Sequence, residues 1–293
     1  MQLSIITDQI HNDLETALKI IQKEGYSYVE IHNVFNKSIE QCNEKEAYRI
    51  KELLDAYNMT CTNISSTIFF LCPLYEKDTV SLFNDSFYSI KGNLDIHLEH
   101  LVNACRIAKI LDCPRIRLFP FRFPDNRKGP YGTDQDLNMI IENMKKAVEI
   151  AEEYNITLVI ENCPYSHLPK GLMTVKIVEE VNSSHLKLLW DPANSYRAYK
   201  ENVPDTYLNI SLIDELKQIY PYIDHVHIKD YHYDPSFIKP FIHTPIYKGD
   251  IDFDILFNFL KSNNYDKALS LEPEVDFQDA IRCLQILKEK VQD

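Results

Sequence analysis

Glycine is scarce: the chain has 6 in 293 residues, at positions 25, 92, 129, 132, 171 and 249. No GxGxxG and no GxxxxGK[ST] occurs, which speaks strongly against folds that rest a nucleotide's phosphates on a glycine-rich turn. Positive charge is also short, with Lys+Arg 31 against Asp+Glu 44 and a formal net charge of −13. Such a surface repels nucleic acid phosphates unless a local basic patch intervenes. The longest basic stretch, Arg122 to Lys128, is broken by Pro124 and Asp125, so no nucleic-acid partner is expected. No window approaches 18 uncharged apolar residues, and no membrane span is expected either. The first residues, Met1 to Asp8, have neither the basic start nor the apolar stretch of a secretory signal. Seven cysteines (42, 61, 72, 105, 113, 163 and 283) form no CxxC pair. An odd, unpaired set of that kind suits a reduced, cytoplasmic chain better than a disulfide scaffold or a thiolate zinc site.

What is present is an ordinary globular balance, 45% hydrophobic and 26% charged. Short β-branched runs alternate with longer amphipathic ones through eight rounds. The strand candidates are Leu3–Ile6, Tyr28–His32, Thr60–Ser65, Arg115–Phe119, Thr157–Ile160, Lys187–Trp190, His225–Ile228 and Ala268–Leu271. Between them, Leu14, Ala17, Leu18 and Ile21 keep i, i+3, i+4, i+7 spacing, as do Leu98, Leu101, Val102 and Cys105, and Met144, Ala147, Val148 and Ala151. A last helix is expected from Asp276 to Lys290. Regular alternation implies parallel strands joined by right-handed crossovers. Eight such units fit a closed (β/α)8 TIM barrel better than an open sheet, in a single domain over residues 1–293. One stretch breaks the rhythm. From Thr67 to Asn93 a long loop follows strand 3, carrying Phe69, Phe70, Leu71, Leu74, Tyr75, Phe83, Phe87 and Tyr88. It is too aromatic for disorder and reads as a cap over the barrel mouth, although a packed excursion or a subunit contact explains its length equally well.

Reactive groups of such barrels gather at the C-terminal ends of the strands. The fifth strand ends at Glu161-Asn162, the sixth at Asp191-Pro-Ala-Asn194, the seventh runs His225-Val-His227-Ile-Lys229-Asp230, and the eighth ends at Glu272-Pro-Glu274. Four consecutive strands thus deliver a metal-capable side chain where the apolar run stops. Three carboxylates gathered there repel one another and are costly to desolvate, and one divalent cation relieves both. Glu161, Asp191, His227 and Glu272 supply oxygen donors and one imidazole, a set suited to Mn²⁺, Mg²⁺, Co²⁺ or Zn²⁺. For any one of them a helix cap or surface charge explains as much; Asp191 before Pro192 could cap the following turn. Four matched ends are harder to dismiss. His225 and His227 are expected on opposite sides of their strand, with His227 facing the metal and His225 held as a structural histidine. Asn194, His225, Lys229 and Asp230 are the candidate substrate contacts. His32, His185 and His243 lack such company and read as ordinary histidines, and Glu274 is expected beyond the site. Arg115 and Arg117 share one strand face and call for internal ion pairs.

The order Val159-Ile-Glu161-Asn, Leu189-Trp-Asp191-Pro-Ala-Asn194, His225-Val-His227-Ile-Lys-Asp230, Tyr247-Lys-Gly-Asp250-Ile-Asp252-Phe and Leu271-Glu272-Pro-Glu, with Tyr28-Val-Glu30-Ile before it, resembles the xylose isomerase-like (AP endonuclease family 2) barrels. Within them it is similar to the sugar phosphate isomerase/epimerase branch. That resemblance implies one divalent metal on Glu161, Asp191, His227 and Glu272, and the two glutamates as an acid/base pair. Two positions depart from it: Asn194 and Cys163 stand where many relatives carry histidine. The extra histidine ligands of the DNA-repair branch are missing too, which together with the net charge sets aside endonuclease activity. A metal that chelates a carbonyl and its neighbouring hydroxyl acidifies the C–H between them, so Glu161 and Glu272 could isomerise or epimerise a ketose or related polyol through an enediolate. The alternative is a lyase: the same enediolate can expel a β-hydroxyl, dehydrating a keto-polyol such as an inosose. A non-catalytic sugar-binding barrel ranks below both, since both glutamates are present. Only Lys248-Gly249 hints at a phosphate cradle. Related barrels often dimerise, so a homodimer is possible.

Overall fold

A computed structural model describes residues 1–82, 87–198 and 203–292. Its barrel strands are β1 (Gln2–Ile5), β2 (Tyr28–Ile31), β3 (Thr60–Ile64), β4 (Arg115–Leu118), β5 (Thr157–Glu161), β6 (Leu186–Trp190), β7 (Ile223–Ile228) and β8 (Ala268–Leu271). They form one sheet in the order β1-β8-β7-β6-β5-β4-β3-β2, every neighbour parallel. A parallel bridge from Ile6 to Glu30 brings the two ends together, so the (β/α)8 barrel expected from the alternation is the fold. Between the strands run α1 (Leu14–Lys23), α2 (Glu44–Ala56), α3 (Leu94–Ile110), α4 (Asp134–Tyr154), α5 (Gly171–Val181), α6 (Leu212–Ile219) and α7 (Phe253–Ser262), and α8 (Phe277–Gln292) follows the last. No helix among the described residues is long and apolar enough to cross a membrane.

Local chemistry explains the elements. Asp13 caps α1 by accepting from Thr16 N at 2.9 Å, and Leu14, Ala17, Leu18 and Ile21 are all buried against the sheet. In α4 the stripe Met144, Ala147, Val148 and Ala151 is buried as well. The α3 stripe is turned relative to expectation. Leu101 and Cys105 are buried with His97, Ala104 and Ala108, while Leu98 and Val102 stay partly exposed. The reason is tertiary: His97 Nδ1 accepts from Phe69 N at 3.0 Å and turns that face toward the long loop. The loop's start is pinned twice more, by Glu40 accepting from Thr67 N at 2.8 Å and by Phe69 stacking on Phe121. Phe83 lies outside the described residues.

After β7 the chain makes an antiparallel hairpin, Asp230–Tyr233 with Phe241–Thr244, that the periodicity does not announce. Asp230 organises it. Its fully buried carboxylate accepts from Tyr231 N at 2.9 Å, Gly249 N at 3.0 Å and Ile251 N at 3.3 Å. Asp230 therefore faces backbone amides and not substrate, a correction to the expectation above. Gly249 serves the same packing: a Cβ there would sit 2.2 Å from Asp230 Oδ1 and 2.5 Å from the Tyr231 carbonyl oxygen. Asp230→Ala leaves three buried amides without their acceptor. It is expected to destabilise the fold by about 2 kcal/mol or more, by the usual cost of unsatisfied buried groups. Urea denaturation checks this, and an unchanged midpoint would remove the structural role.

Candidate metal centre

The site grows out of four strand ends. Glu161 is the last residue of β5, His227 lies within β7, and Asp191 and Glu272 immediately follow β6 and β8. One ligand atom from each of Glu161, Asp191, His227 and Glu272 lies within 4.8 Å of all the others. Asp191 does two things at once. Its Oδ1 accepts from Asn194 N at 2.9 Å, capping a short helix over Pro192–Arg197, and Oδ2 is left toward the centre. Lys229 Nζ stands 3.0 Å from that Oδ2, an ion pair whose angle falls short of a hydrogen bond. Asn162 ties the ends of β5 and β6 together: its Oδ1 accepts from Asp191 N at 2.8 Å, and its Nδ2 donates to the Asp191 carbonyl at 2.9 Å. Asn194 Nδ2 donates to Glu161 Oε1 at 3.0 Å, so it holds a candidate ligand in place.

Two cations thread the carboxylates. Arg117 Nη1 is 3.0 Å from Glu161 Oε2 and 3.4 Å from Glu272 Oε1, with Nε and Nη2 donating to the carbonyls of Ser66 and Ser65. Phe119 covers the guanidinium, 4.7 Å from its ring centre. Arg115 makes the other expected internal pair, with Asp224. Lys229 Nζ donates to Glu272 Oε2 at 2.7 Å and Glu274 Oε1 at 3.2 Å. Burial lifts the Asp191 pKa to about 6; Lys229 opposes the rise while Glu161 and Glu272 add to it. Burial would lift Glu272 too, but Lys229 and His227 outweigh it and hold the acid well below the ordinary range. For His227 burial favours the neutral ring, yet Glu30, Glu161 and Glu272 drive its pKa well above the ordinary value. An imidazolium there carries positive charge that a bound metal ion would otherwise bring.

Buried polar atoms without partners test the fit. His227 Nδ1 makes no hydrogen bond, although it lies 3.5 Å from Glu161 Oε1 and 3.6 Å from Glu272 Oε2. Asp191 Oδ2 is the other such atom at this point. A ring nitrogen and a carboxylate oxygen, both buried without a hydrogen bond and converging with two further carboxylates, are what a divalent cation satisfies, so these residues fit one.

The remaining expectations sort by geometry. A cavity of about 520 Å³ opens beside the centre, lined by Arg117, Glu161, Asn194, Lys229 and Glu272 among others. His225 does not line it. Residues two apart on a strand share a face, so His225 and His227 are not on opposite sides; both point inward, and His225 Nε2 lies 2.9 Å from Glu30 Oε2. Glu274 is part of the cavity wall and pairs with Lys229 and with His243 Nε2 at 3.2 Å, so it is not outside the site. His32 and His243 also line the cavity. Phe70 and Phe87 of the long loop reach it, 5.5 Å apart, in keeping with a cap. Tyr165 from the turn after β5, Arg197 from the short helix after β6, and Tyr231 and Phe241 from the hairpin line the cavity too, in segments that carry no periodic signal. Glu30 was visible only as a lone acid inside an apolar strand.

Barrel and site together define a (β/α)8 protein with a candidate cation centre at the C-terminal ends of its strands. The chain belongs to the xylose isomerase-like TIM barrel family, whose model matches residues 18–287. It is 27% identical over 188 residues to a Clostridium tetani protein named inosose dehydratase, covering 57% of this chain and 59% of that one. The chain matches about half the length of the curated relatives it resembles. Among solved structures it is similar to the IOLI protein with a bound zinc atom, at TM-score 0.73 and 16% identity over 100% of this chain and 98% of that one. A D-tagatose 3-epimerase-like protein superposes at TM-score 0.70 and 21% identity, over 100% and 97% of the two chains.

Purified protein is expected to take up close to one divalent ion per chain. Glu161→Gln and His227→Ala should each lose most of it in elemental analysis, with circular dichroism unchanged. Full metal content in both variants would end the assignment.

Proposed function

We propose that the chain is a divalent-cation-dependent enzyme that shifts a proton on a ketose or related polyol, in the manner of an isomerase or epimerase. The observation that carries this reading is the pairing of Glu161 and Glu272 on one guanidinium: Arg117, itself in the cavity wall, bridges both, so two carboxylates from different strands flank one centre. When bound, the cation would draw charge from adjacent carbonyl and hydroxyl oxygens and acidify the C–H between them. Glu272 would then take that proton through a carboxylate oxygen, and Glu161, entering the cycle protonated, would return one at the neighbouring carbon or the opposite face, with proton exchange with water resetting the pair. Asn194 and Arg117 hold Glu161 in position while this happens. Phe70 and Phe87 keep bulk water from the reacting carbon, which protects a carbanionic intermediate. Buried cysteines, all unpaired, accord with a reducing, cytoplasmic setting.

Dehydration is the second reading, and one feature favours it. The Lys229 ammonium lies 2.7 Å from Glu272, placing a proton donor beside the proposed base. Elimination needs that combination, because a leaving β-hydroxyl must be protonated as the C–H proton departs. The partial match to a protein named inosose dehydratase supports it as well.

Incubation with a panel of ketoses and inosose-like ketones, followed by NMR, separates the two: rearranged isomers in one case, loss of water in the other. Glu272→Gln keeps an oxygen for the cation but removes the base. Exchange of the substrate's α-proton with deuterated water is expected to fall by about 10²–10⁴, with cation content only modestly reduced. The control is the exposed Glu52→Gln on α2, since Glu274 belongs to the cavity wall. Equal exchange in both variants would dismiss the two-glutamate mechanism.

A further inference from the structure

Glu30 takes no part in the proton transfer above, yet it is among the most enclosed acids of the barrel, with no exposed surface. Three donors crowd its carboxylate. Asn63 Nδ2 donates to Oε1 at 2.6 Å, His225 Nε2 lies 2.9 Å from Oε2, and His227 Nε2 lies 3.0 and 3.1 Å from the two oxygens. An ionised carboxylate has no proton to give, so each imidazole must carry its proton on Nε2. That leaves Nδ1 of His227 as the nitrogen facing Glu161 and Glu272.

The backbone is bent to make this contact. Pairing between β2 and β3 slips between Val29 and Glu30, so Glu30 stands opposite Asn63 and Thr62 is passed over. Pairing between β6 and β7 slips between Leu188 and Leu189, so Leu189 stands opposite His225 and Asp224 is passed over. Asp224 faces Arg115 and Lys267 instead. Irregularities of this kind re-aim side chains beside functional sites. Strands β2 and β7 are not neighbours, since β1 and β8 lie between them. Glu30 therefore reaches the histidines across the barrel interior.

We propose that Glu30 is a positioning residue. By clamping the Nε2 sides of His225 and His227 together, it makes His227 a ligand through Nδ1 and sets how tightly the centre holds its cation. This rests on the cation centre described above. Glutamine would offer one acceptor and one donor where three donors need acceptors, so it would free the His227 ring to turn or change tautomer. The three side chains Glu30, His225 and His227 also come within 4.8 Å of one another at single atoms, and a second cation among them is the rival reading.

The test compares wild type and Glu30→Gln by Zn²⁺ titration against a chromophoric chelator, with the visible spectrum of each Co²⁺-loaded form. Wild type and variant should both bind one ion per chain, the variant roughly 10–100-fold more weakly, with a changed cobalt spectrum and an unchanged far-ultraviolet dichroism. Equal affinity and an identical spectrum would overturn the proposal. So would two ions in wild type and one in the variant, which is the rival's signature. No ion in wild type would instead remove the cation centre itself. Should Glu30→Gln fail to fold, histidine ¹⁵N spectra of the zinc-loaded wild type decide, with His227 assigned by its absence in His227→Gln. A proton on Nε2 and a metal-shifted Nδ1 support the clamp; the reverse arrangement rejects it.

Discussion

Four carboxylates, those of Glu30, Glu161, Asp191 and Glu272, are enclosed at one end of the barrel, and the permanent cations that reach them are Arg117 and Lys229. Two negative charges are left over in a place where water is largely excluded. Burying unpaired charge costs several kcal/mol per ion even after the protein relaxes, so the surplus must be met. Protonation is one route, visible in the raised pKa values of Asp191 and His227. A divalent cation is the other, and it meets the deficit with charge of the right sign. The rigid features around the centre follow from the same need. Asn162 joins the ends of β5 and β6, Asn194 steadies Glu161, and Phe119 covers the guanidinium of Arg117.

How much of this was legible in the chain depends on whether the signal was local. Eight apolar runs at regular intervals made the barrel readable, because strands buried on both faces must be continuously apolar. Acids and a histidine standing where those runs stop made Glu161, Asp191, His227 and Glu272 readable for the same reason. What escaped was settled by contacts between distant segments. Asp230 looks like a site residue next to His227, but its carboxylate is committed to amides of residues 249 and 251, far along the chain. Glu274 looks like a surface acid past a strand end, yet Lys229 and His243 draw it into the wall. The hairpin after β7 has no repeat to announce it. Glu30 was in plain view as a charge inside an apolar strand, and only the slipped register of β2 against β3 explains how it reaches β7.

The centre and the cavity wall are built from different kinds of structure. Candidate ligands stand on or just past strands, where hydrogen bonds to both neighbours fix the backbone, and their partners are buried. Cavity-lining groups such as Phe70, Phe87, Tyr165, Tyr231, Phe241 and His243 come from the excursion after β3, the turn after β5 and the hairpin after β7. Loops tolerate change and strand ends do not. A barrel so divided can keep one cation and one proton-transfer pair while its loops exchange substrates, which is why fold alone leaves the substrate open.

On the function proposed above, the choice between moving a proton and expelling a hydroxyl would fall to Lys229, at the border of the two regions. Its ammonium is shared by Asp191, Glu272 and Glu274. Burial favours the neutral amine, but these three carboxylates outweigh it and hold the group charged. While Glu272 engages it, Lys229 serves to keep that carboxylate ionised and ready to accept a proton. Once Glu272 has taken one, its hold on Lys229 weakens, and the ammonium is left with Asp191 and with Glu274 at the cavity wall. In that proposed sequence the proton on Lys229 would be held less tightly once Glu272 had been protonated, beside the cavity. On that proposal, whether a substrate carries a hydroxyl within reach of Lys229 would decide which reaction follows.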